Sequence, residues 1–203
     1  MNDEIRDAAT QSAQQGGDIR GRVHDLTLEA LKARRFDRET IRDVVRSVTE
    51  GISRGAEGSG LGVRQTLAEG FRGMDQALTA SVQAGHEALR QMVAAGRGLS
   101  ENELKQAAAG LRKIEEDFVA TVEQVARSAN ERVRPELSEL VRQAAHAGTE
   151  TGRRSARLMA EFTLGGLELA GEFGARFAQI ASGVLAGAAE ALDKNSSHTK
   201  KTP

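Results

Sequence analysis

Residues that could carry out catalysis or hold a metal ion are sparse and scattered in this chain. A metal site needs several imidazole, thiolate or carboxylate groups that meet at one point. The 203 residues include no cysteine, and the four histidines stand far apart, at His24, His86, His146 and His198. The pair His86-Glu87 lacks the second histidine of the helical zinc-protease motif. We therefore expect histidines at the surface or edge of the fold, no metal site and no cofactor.

A glycine-rich stretch from Gly58 to Gly62 superficially resembles a phosphate-binding loop. In a dinucleotide-binding fold the third glycine of the motif would stand at position 63, where this chain has Val63, and a strand would precede it. No strand-like pattern precedes these glycines, and no phosphate-loop lysine follows them. We interpret the stretch as a helix hinge or a place where two helices approach closely.

Two charged clusters have the composition of a binding site without its geometry. Glu115 to Asp117 are three acidic residues in a row, but consecutive residues point around a helix rather than at one spot, which predicts a solvated face. Arg153, Arg154 and Arg157 could contact phosphate headgroups, although three charges are more typical of ordinary surface. Because no convergent set of titratable groups is visible, we predict that the protein is not an enzyme.

Charge and composition exclude several classes of protein. The 28 basic and 29 acidic residues are interspersed, and no basic block marks a nucleic-acid footprint. The acidic start, Met1 to Asp7, has no apolar stretch and is no secretory signal. The longest charge-free run near the C-terminus, Phe177 to Ala189, has 13 residues where a transmembrane helix needs about 20. Together with the absence of cysteine, this predicts a cytoplasmic protein with no transmembrane segment and no nucleic-acid partner.

Apolar residues recur at steps of 11 along most of the chain. One row contains Ile41, Ile52, Val63 and Met74, a second contains Val45, Ala56, Leu67, Leu78 and Leu89, and a third contains Phe118, Ala129, Leu140, Thr151, Phe162, Phe173 and Val184. Such a step is about 3.67 residues per turn, so each row stays on one side of a nearly straight helix. The predicted fold class is all-α: an elongated antiparallel hairpin or bundle of long amphipathic helices with 11-residue periodicity.

Local signals divide the first half of the chain. Residues 1–17 are polar and end in two glycines, which predicts a disordered N-terminus. Asp18 can cap a short helix over 18–35, and Asp37 can cap a long helix over 37–96. Four glycines between positions 55 and 62 would cost that helix about 4 kcal/mol relative to alanine, and the sequence leaves open whether it is continuous or hinged there.

The second half predicts a helix that returns along the first. Ser100 and Glu103 form a capping box after Gly96, and the short loop between the helices predicts that they lie antiparallel. This second, kinked helix is predicted over 101–192 and closes a single domain of residues 18–192. The polar, lysine-containing residues 193–203 are predicted to be a disordered tail.

Two positions could interrupt the second helix. Pro135 lacks a backbone N–H, so we interpret it as a kink or a tight restart. Gly148 to Gly152 is a second possible break, with Thr149 available as an N-cap. The sequence does not decide whether the helix breaks at either place.

The segment from Met159 to Leu192 contains the candidate interaction face. On a helical projection its charged and amide side chains fall within an arc of about 80°, and apolar residues interleaved with glycine and alanine occupy the rest. A helix so apolar must be buried in a bundle, in an oligomer, or in an apolar phase such as lipid or polymer. The side chains assigned to this interaction face are Phe162, Leu169, Phe173, Phe177, Ile180 and Val184.

The pattern over residues 38–192 resembles two groups of amphipathic helical proteins. Its 11-residue repeat is similar to that of exchangeable apolipoproteins, and its general build resembles phasins, which coat bacterial polyester granules. Phasins are usually richer in aromatic residues than this chain, which has six phenylalanines and no tyrosine or tryptophan. The stretch from Val23 through Gly51 also resembles an uncharacterised proteobacterial helical family, which implies a bacterial origin.

These observations favour a non-catalytic function. We expect a self-associating helical scaffold or coat protein, a homo-oligomer that acts through its apolar helix faces. The alternative is a phasin-like protein that binds a lipid or polyester granule surface peripherally. The two differ in whether other copies or a surface cover the interaction face.

Overall fold

The computed structural model describes residues 2–34, 37–94 and 101–164. Over these ranges the chain forms seven α-helices and no strand, so the predicted all-α fold is confirmed. The helices are α1 (Asn2–Gln14), α2 (Ile19–Lys32), α3 (Arg38–Glu57), α4 (Val63–Ala94), α5 (Glu101–Ser128), α6 (Arg134–Ala147) and α7 (Glu150–Leu164). They pack as a bundle around α3 and α4.

The N-terminal residues form a helix where the sequence predicted disorder. Ile5, Ala9 and Ala13 recur at every fourth position and are buried on one face of α1. That face lies against α3 at Gly51 and Gly55, where a side chain would overlap the backbone carbonyls of α1. The prediction of a disordered N-terminus is therefore wrong. The contact depends on alanine and glycine, which allow the two helices to approach closely but add little to the hydrophobicity from which order was predicted.

Helices α1 and α2 form one antiparallel hairpin. Arg22 on α2 closes its turn by donating to the backbone carbonyls of Ser12 and Gly16. Asp18 caps α2 as the sequence predicts, since its carboxylate accepts the backbone N–H of Gly21 at 2.9 Å.

Helices α3 and α4 form a second antiparallel hairpin instead of one long helix. α3 ends at Glu57, and Gly62 has a φ of 82°, a conformation that favours glycine, directly before α4. Ile52 contacts α4 at Gly70 across the hairpin. The long helix predicted over 37–96 is therefore broken at its glycines, and the hinge left open by the sequence is a full reversal of the chain.

The first hairpin covers one side of the second. α1 runs parallel to α3, and the two are joined by an ion pair between Arg6 and Glu50 (2.7 Å). α2 runs along α4 and is joined to it by an ion pair between Arg20 and Glu69 (2.8 Å).

Helices α5, α6 and α7 cover the other side. α5 runs parallel to α3, because Asp117 pairs with Arg38 at the start of α3 and Asn130 contacts Glu57 at its end. Pro135 lies in the first turn of α6, which confirms the tight restart that the sequence offered as one reading of this residue. Since α3 lies antiparallel to α4 and parallel to α5, α5 returns along α4 as predicted.

The members of the apolar rows whose side chains the structure describes are buried or partly buried, but they are divided among separate helices. Ile52 and Val63, neighbours in one row, lie on α3 and α4 on either side of the turn. Phe118 on α5 is fully buried and its ring lies 4.8 Å from that of Phe71 on α4. Among the large apolar side chains of the described ranges, Leu61 is the exposed one, at 38 %. The described part of the bundle therefore covers its own apolar surface.

Candidate functional site

The predicted interaction face begins where the described residues end. Phe162 belongs to the last turn of α7, and Leu169, Phe173, Phe177, Ile180 and Val184 lie outside the described residues. What the structure describes is the element that leads into this face. This element, α7, is held by hydrogen bonds with α4 and α5.

Asp75, in the middle of α4, caps the start of α7. Its side chain is buried, with 9 % of the residue exposed, and its two carboxylate oxygens accept the backbone N–H groups of Glu150 (2.8 Å) and Thr151 (3.0 Å). The first N–H groups of a helix have no partner within it and carry partial positive charge, so a carboxylate at this place stabilises the helix.

Glu115 on α5 holds the same end of α7 from a second direction. Its Oε1 accepts both the backbone N–H (3.0 Å) and the hydroxyl (2.7 Å) of Thr149. The Thr149 hydroxyl oxygen in turn accepts the N–H of Gly152 at 2.9 Å, which confirms the predicted N-cap. α7 therefore starts at a point that α4 and α5 determine jointly. We call Asp75 and Glu115 the carboxylate clamp.

The contact between α4 and α7 continues beyond the clamp through polar side chains. The hydroxyls of Thr79 and Thr151, both buried, lie 3.0 Å apart. One turn further on, the amide of Gln83, with its oxygen turned toward Arg154, accepts from that guanidinium at 2.9 Å. Successive residues of α4 thus meet successive residues of α7, so the two helices are parallel with an offset of 72 positions at Thr79.

This register relates the ends of α4 and α5, as the structure describes them, to the end of α7. Carried along α4, the offset of 72 places Ala94, its last residue, level with position 166. α5 runs antiparallel to α7, and Thr149 opposite Glu115 places Glu101, the first residue of α5, level with position 163. Both helices that hold α7 therefore end at nearly the same level, close to Leu164.

A second buried carboxylate lies two residues from the clamp. Asp117, 5 % exposed, accepts hydrogen bonds from Arg38 (2.6 and 2.9 Å) and Arg42 (2.6 and 3.1 Å) on α3. Burial raises the pKa of Asp117. The hydrogen bonds from the two guanidiniums and their positive charge lower it by a larger amount, so the pKa lies below its ordinary value. The hydrogen bond to Asp117 correspondingly raises the pKa of Arg38. This group ties α5 to α3.

Two predictions about charged residues are wrong. Glu115 and Asp117 do not belong to a solvated acidic face, because they bind α7 and α3 respectively, and Glu116 between them is the exposed member. His86 is buried, 6 % exposed, and does not lie at the surface or edge. His146 is exposed and His24 partly exposed, beside Asp25, in line with the prediction.

The sequence signal that could have identified the clamp is a polar residue on an apolar helix face. Phe71, Leu78 and Val82 lie on the core face of α4, and Asp75 shares that face. A carboxylate there must find a partner, because an unpaired buried charge is costly. The partner itself lies 75 positions away in the sequence, and no local pattern indicates it.

One cleft of the described ranges lies beside the start of α7. A cleft of about 540 Å³ between α4 and the α6–α7 turn has an apolar floor that includes Phe71 and Leu140 and a rim of mixed charge. Arg153 on that rim donates to the carbonyl of Gly148 (3.0 Å). Within the described residues, no group of three or more histidine, aspartate or glutamate side chains could hold a metal ion.

Together these features define the class: over its described residues the chain is an all-helical bundle in which a pair of carboxylates holds the start of α7. A family model described as "Family of unknown function (DUF6781)" matches residues 1–194, and the chain belongs to this family. No curated protein and no solved structure matches it. Over the described part of the chain, every helix is too short or too polar to span a membrane.

Proposed function

We propose that this protein is a non-catalytic helical scaffold or coat protein that associates with other copies of itself through the interaction face beyond α7. The observation that carries the proposal is the register of α7, whose two neighbouring helices end level with positions 163–166. Five of the six residues of the interaction face come after this level.

Consider the segment 167–192 as the helix that the sequence predicts. It would be about 39 Å long and would extend past the ends of α4 and α5. Each Phe or Leu side chain on it would gain about 1.5–3 kcal/mol from burial. A covering surface must therefore come from elsewhere, and a second copy presents the same apolar segment in the same form.

The state of the described bundle supports this proposal. Its large apolar side chains are covered, apart from Leu61 in the turn between α3 and α4. A single exposed leucine is ordinary for a protein surface and offers no patch for assembly. We therefore assign the partner surface to the C-terminal segment, which the sequence predicts to be apolar over most of its circumference. We place this function in the cytoplasm, where a chain without cysteine needs no disulfide.

The test replaces two aromatic residues of the interaction face by Phe173→Glu and Phe177→Glu. A carboxylate buried between two copies would be unpaired, so association should be lost. Light scattering coupled to size exclusion should show wild-type mass above the 21.6 kDa of one chain and variant mass near it. Circular dichroism should show the bundle intact in both.

The matched control changes the polar arc of the same segment. Gln179→Glu with Arg176→Gln alters the net charge by the same amount as the two Phe→Glu changes but leaves the interaction face intact. This control should keep the wild-type mass. A wild-type protein that is monomeric alone and co-sediments with anionic vesicles through Phe173 and Phe177 would overturn self-association in favour of the phasin-like alternative.

A further inference from the structure

We propose that the carboxylate clamp, Asp75 and Glu115, is the positioning device of the interaction face: it sets the direction and register of α7, the helix that leads into that face. This inference rests on the proposed self-association. It assigns a role to two acids, the buried Asp75 and the partly buried Glu115, one on each of the helices between which α7 starts.

The clamp acts at the only point where α7 could pivot. The link between α6 and α7 consists of Gly148 and Thr149, and Gly148 has a φ of 74°. So short a link leaves α7 free to change its angle to α6 unless its first turn is held. The carboxylates of Asp75 and Glu115 hold that turn through four hydrogen bonds, three of them from backbone N–H groups of residues 149–151, and the backbone carbonyl of Asp75 accepts a fifth from the Thr151 hydroxyl.

The identity of the clamp atoms makes it directional. Backbone N–H groups at a helix start point along the helix axis, so an acceptor that meets two of them determines the axis as well as the position. Asp75 meets those of Glu150 and Thr151, one with each oxygen. Glu115 on α5 accepts the backbone N–H of Thr149. This second contact prevents α7 from rotating about its contact with Asp75.

A fixed exit direction matters for association. Two copies lose less conformational freedom on binding when the contacting segments are already oriented. If the angle of α7 varied, association would cost additional conformational entropy. The complex would then be weaker although the residues of the interaction face are unchanged. The clamp therefore changes the affinity between two copies although it lies at the start of α7, away from the interaction face.

The experiment compares Asp75→Asn and Glu115→Ala with wild type in the full chain. Asp75→Asn puts an N–H donor where one of two backbone N–H groups needs an acceptor, because both oxygens of Asp75 accept. Glu115→Ala removes the single oxygen that accepts both hydrogen bonds of Thr149, so each variant loosens the first turn of α7. We expect the dissociation constant of the oligomer, measured by sedimentation equilibrium, to rise about tenfold or more for each variant. Hydrogen exchange of α7 should accelerate, while that of α1 to α3 stays unchanged.

Asp117→Asn is the matched control. It alters a buried carboxylate of the same helix, α5, whose partners are Arg38 and Arg42 on α3 and not α7. At a temperature where all variants remain folded, Asp117→Asn should leave the dissociation constant of the oligomer within about twofold of wild type. An equal weakening by Asp117→Asn would mean that bundle stability, not positioning, controls association, and would overturn the inference.

Orientation can also be observed directly, because the chain has no native cysteine. Spin labels on cysteines replacing the exposed Glu29 on α2 and Arg157 on α7 should give one narrow distance distribution in otherwise wild-type protein. Asp75→Asn should broaden it. A distribution that stays narrow, or an oligomer that becomes tighter, would contradict the inference.

The outcomes separate this inference from the proposed function. If Phe173→Glu with Phe177→Glu dissociates the oligomer while both clamp variants associate like wild type, the function stands and the positioning role falls. If the Phe variants leave the oligomer intact, the proposed function itself falls.

Discussion

Gly152 on α7 lies directly beneath the carboxyl group of Glu115 on α5, so closely that a β-carbon at position 152 would overlap it. Glu115 can occupy this place because residue 152 has no side chain. The glycine in the first turn of α7 is thus explained by the clamp and not by its own backbone, which is helical.

The first prediction follows from this contact. Gly152→Ala would displace the Glu115 carboxylate from Thr149 and remove charge-assisted hydrogen bonds, each worth about 1.5–3 kcal/mol, which outweighs the gain in helix propensity of about 1 kcal/mol. We expect a lower urea midpoint. Gly110→Ala on α5, where a β-carbon would meet nothing within 4 Å, should instead raise it. In a Glu115→Ala background the penalty of Gly152→Ala should vanish, and its persistence there would contradict this account.

The second prediction concerns the contact between α1 and α3. Alanine at Gly51 or Gly55 would overlap the backbone carbonyls of Arg6 and Thr10, which cannot rotate away as a side chain could. α1 must shift, at a cost of about 1–3 kcal/mol in the free energy of unfolding. Hydrogen exchange over α1 should increase, whereas Gly60→Ala, in open space in the turn, should leave α1 protected.

The third prediction is a pH dependence. The pKa of Asp117 is lower in the folded chain than its ordinary value of 3.8, since Arg38 and Arg42 favour the charged form. The stability it contributes is therefore complete above about pH 4 and is lost as the pH falls through the lowered pKa. Asp117→Asn should destabilise the protein at pH 7 and make urea stability fall less steeply below pH 4.

Glu139→Gln is the control for that pH dependence. Its carboxylate also has a lowered pKa, from hydrogen bonds of Arg142 and Gln143, but it is at the solvent-exposed surface of α6. Exposed pairs of this kind contribute little. The Glu139→Gln variant should unfold like wild type at pH 7, and a large effect would mean that surface charge governs acid stability here.

The fourth prediction concerns the core between α4 and α5. Phe118 is fully buried and stacks at a tilt against Phe71. Phe118→Ala should lower the free energy of unfolding by about 3–5 kcal/mol, from lost burial and the cavity that remains. Leu61→Ala, at the exposed turn, should change it by less than about 0.5 kcal/mol. Chemical denaturation of both variants measures the difference.

Helix starts were predictable because their signals are local. Asp37 caps α3 by accepting the N–H of Thr40 at 2.8 Å, and Thr149 precedes α7 as predicted. The predicted capping residue Ser100 lies outside the described residues. A cap needs only the residues within one turn of it, and those can be read in order.

Long-range arrangement was not predictable from the same signals. The apolar row that passes from Ile52 to Val63 would be equally apolar on one straight helix or on two helices that face each other across a turn. In both cases its residues are buried, so burial cannot tell the two apart. Whether the helix continues or turns depends on the four glycines, which destabilise a helix but do not interrupt the apolar row.

For the candidate site, too, local patterns could be predicted from the sequence and long-range contacts could not. The apolar face of Met159 to Leu192 was visible as a periodic pattern. Asp75 and Glu115 were not recognised, because the meaning of a buried carboxylate depends on a partner far along the chain. A polar residue on the core face of a predicted helix is the cue that would have indicated Asp75.

The separation of 76 positions between Asp75 and Thr151 has a consequence for the order in which the chain folds during synthesis. The hairpins α1–α2 and α3–α4 close over short stretches and can form as soon as they leave the ribosome. α7 has no docking site until α4 and α5 have come together. The carboxylate clamp can therefore form only after residues 149–151 have been synthesised, when the helices that supply Asp75 and Glu115 are already folded.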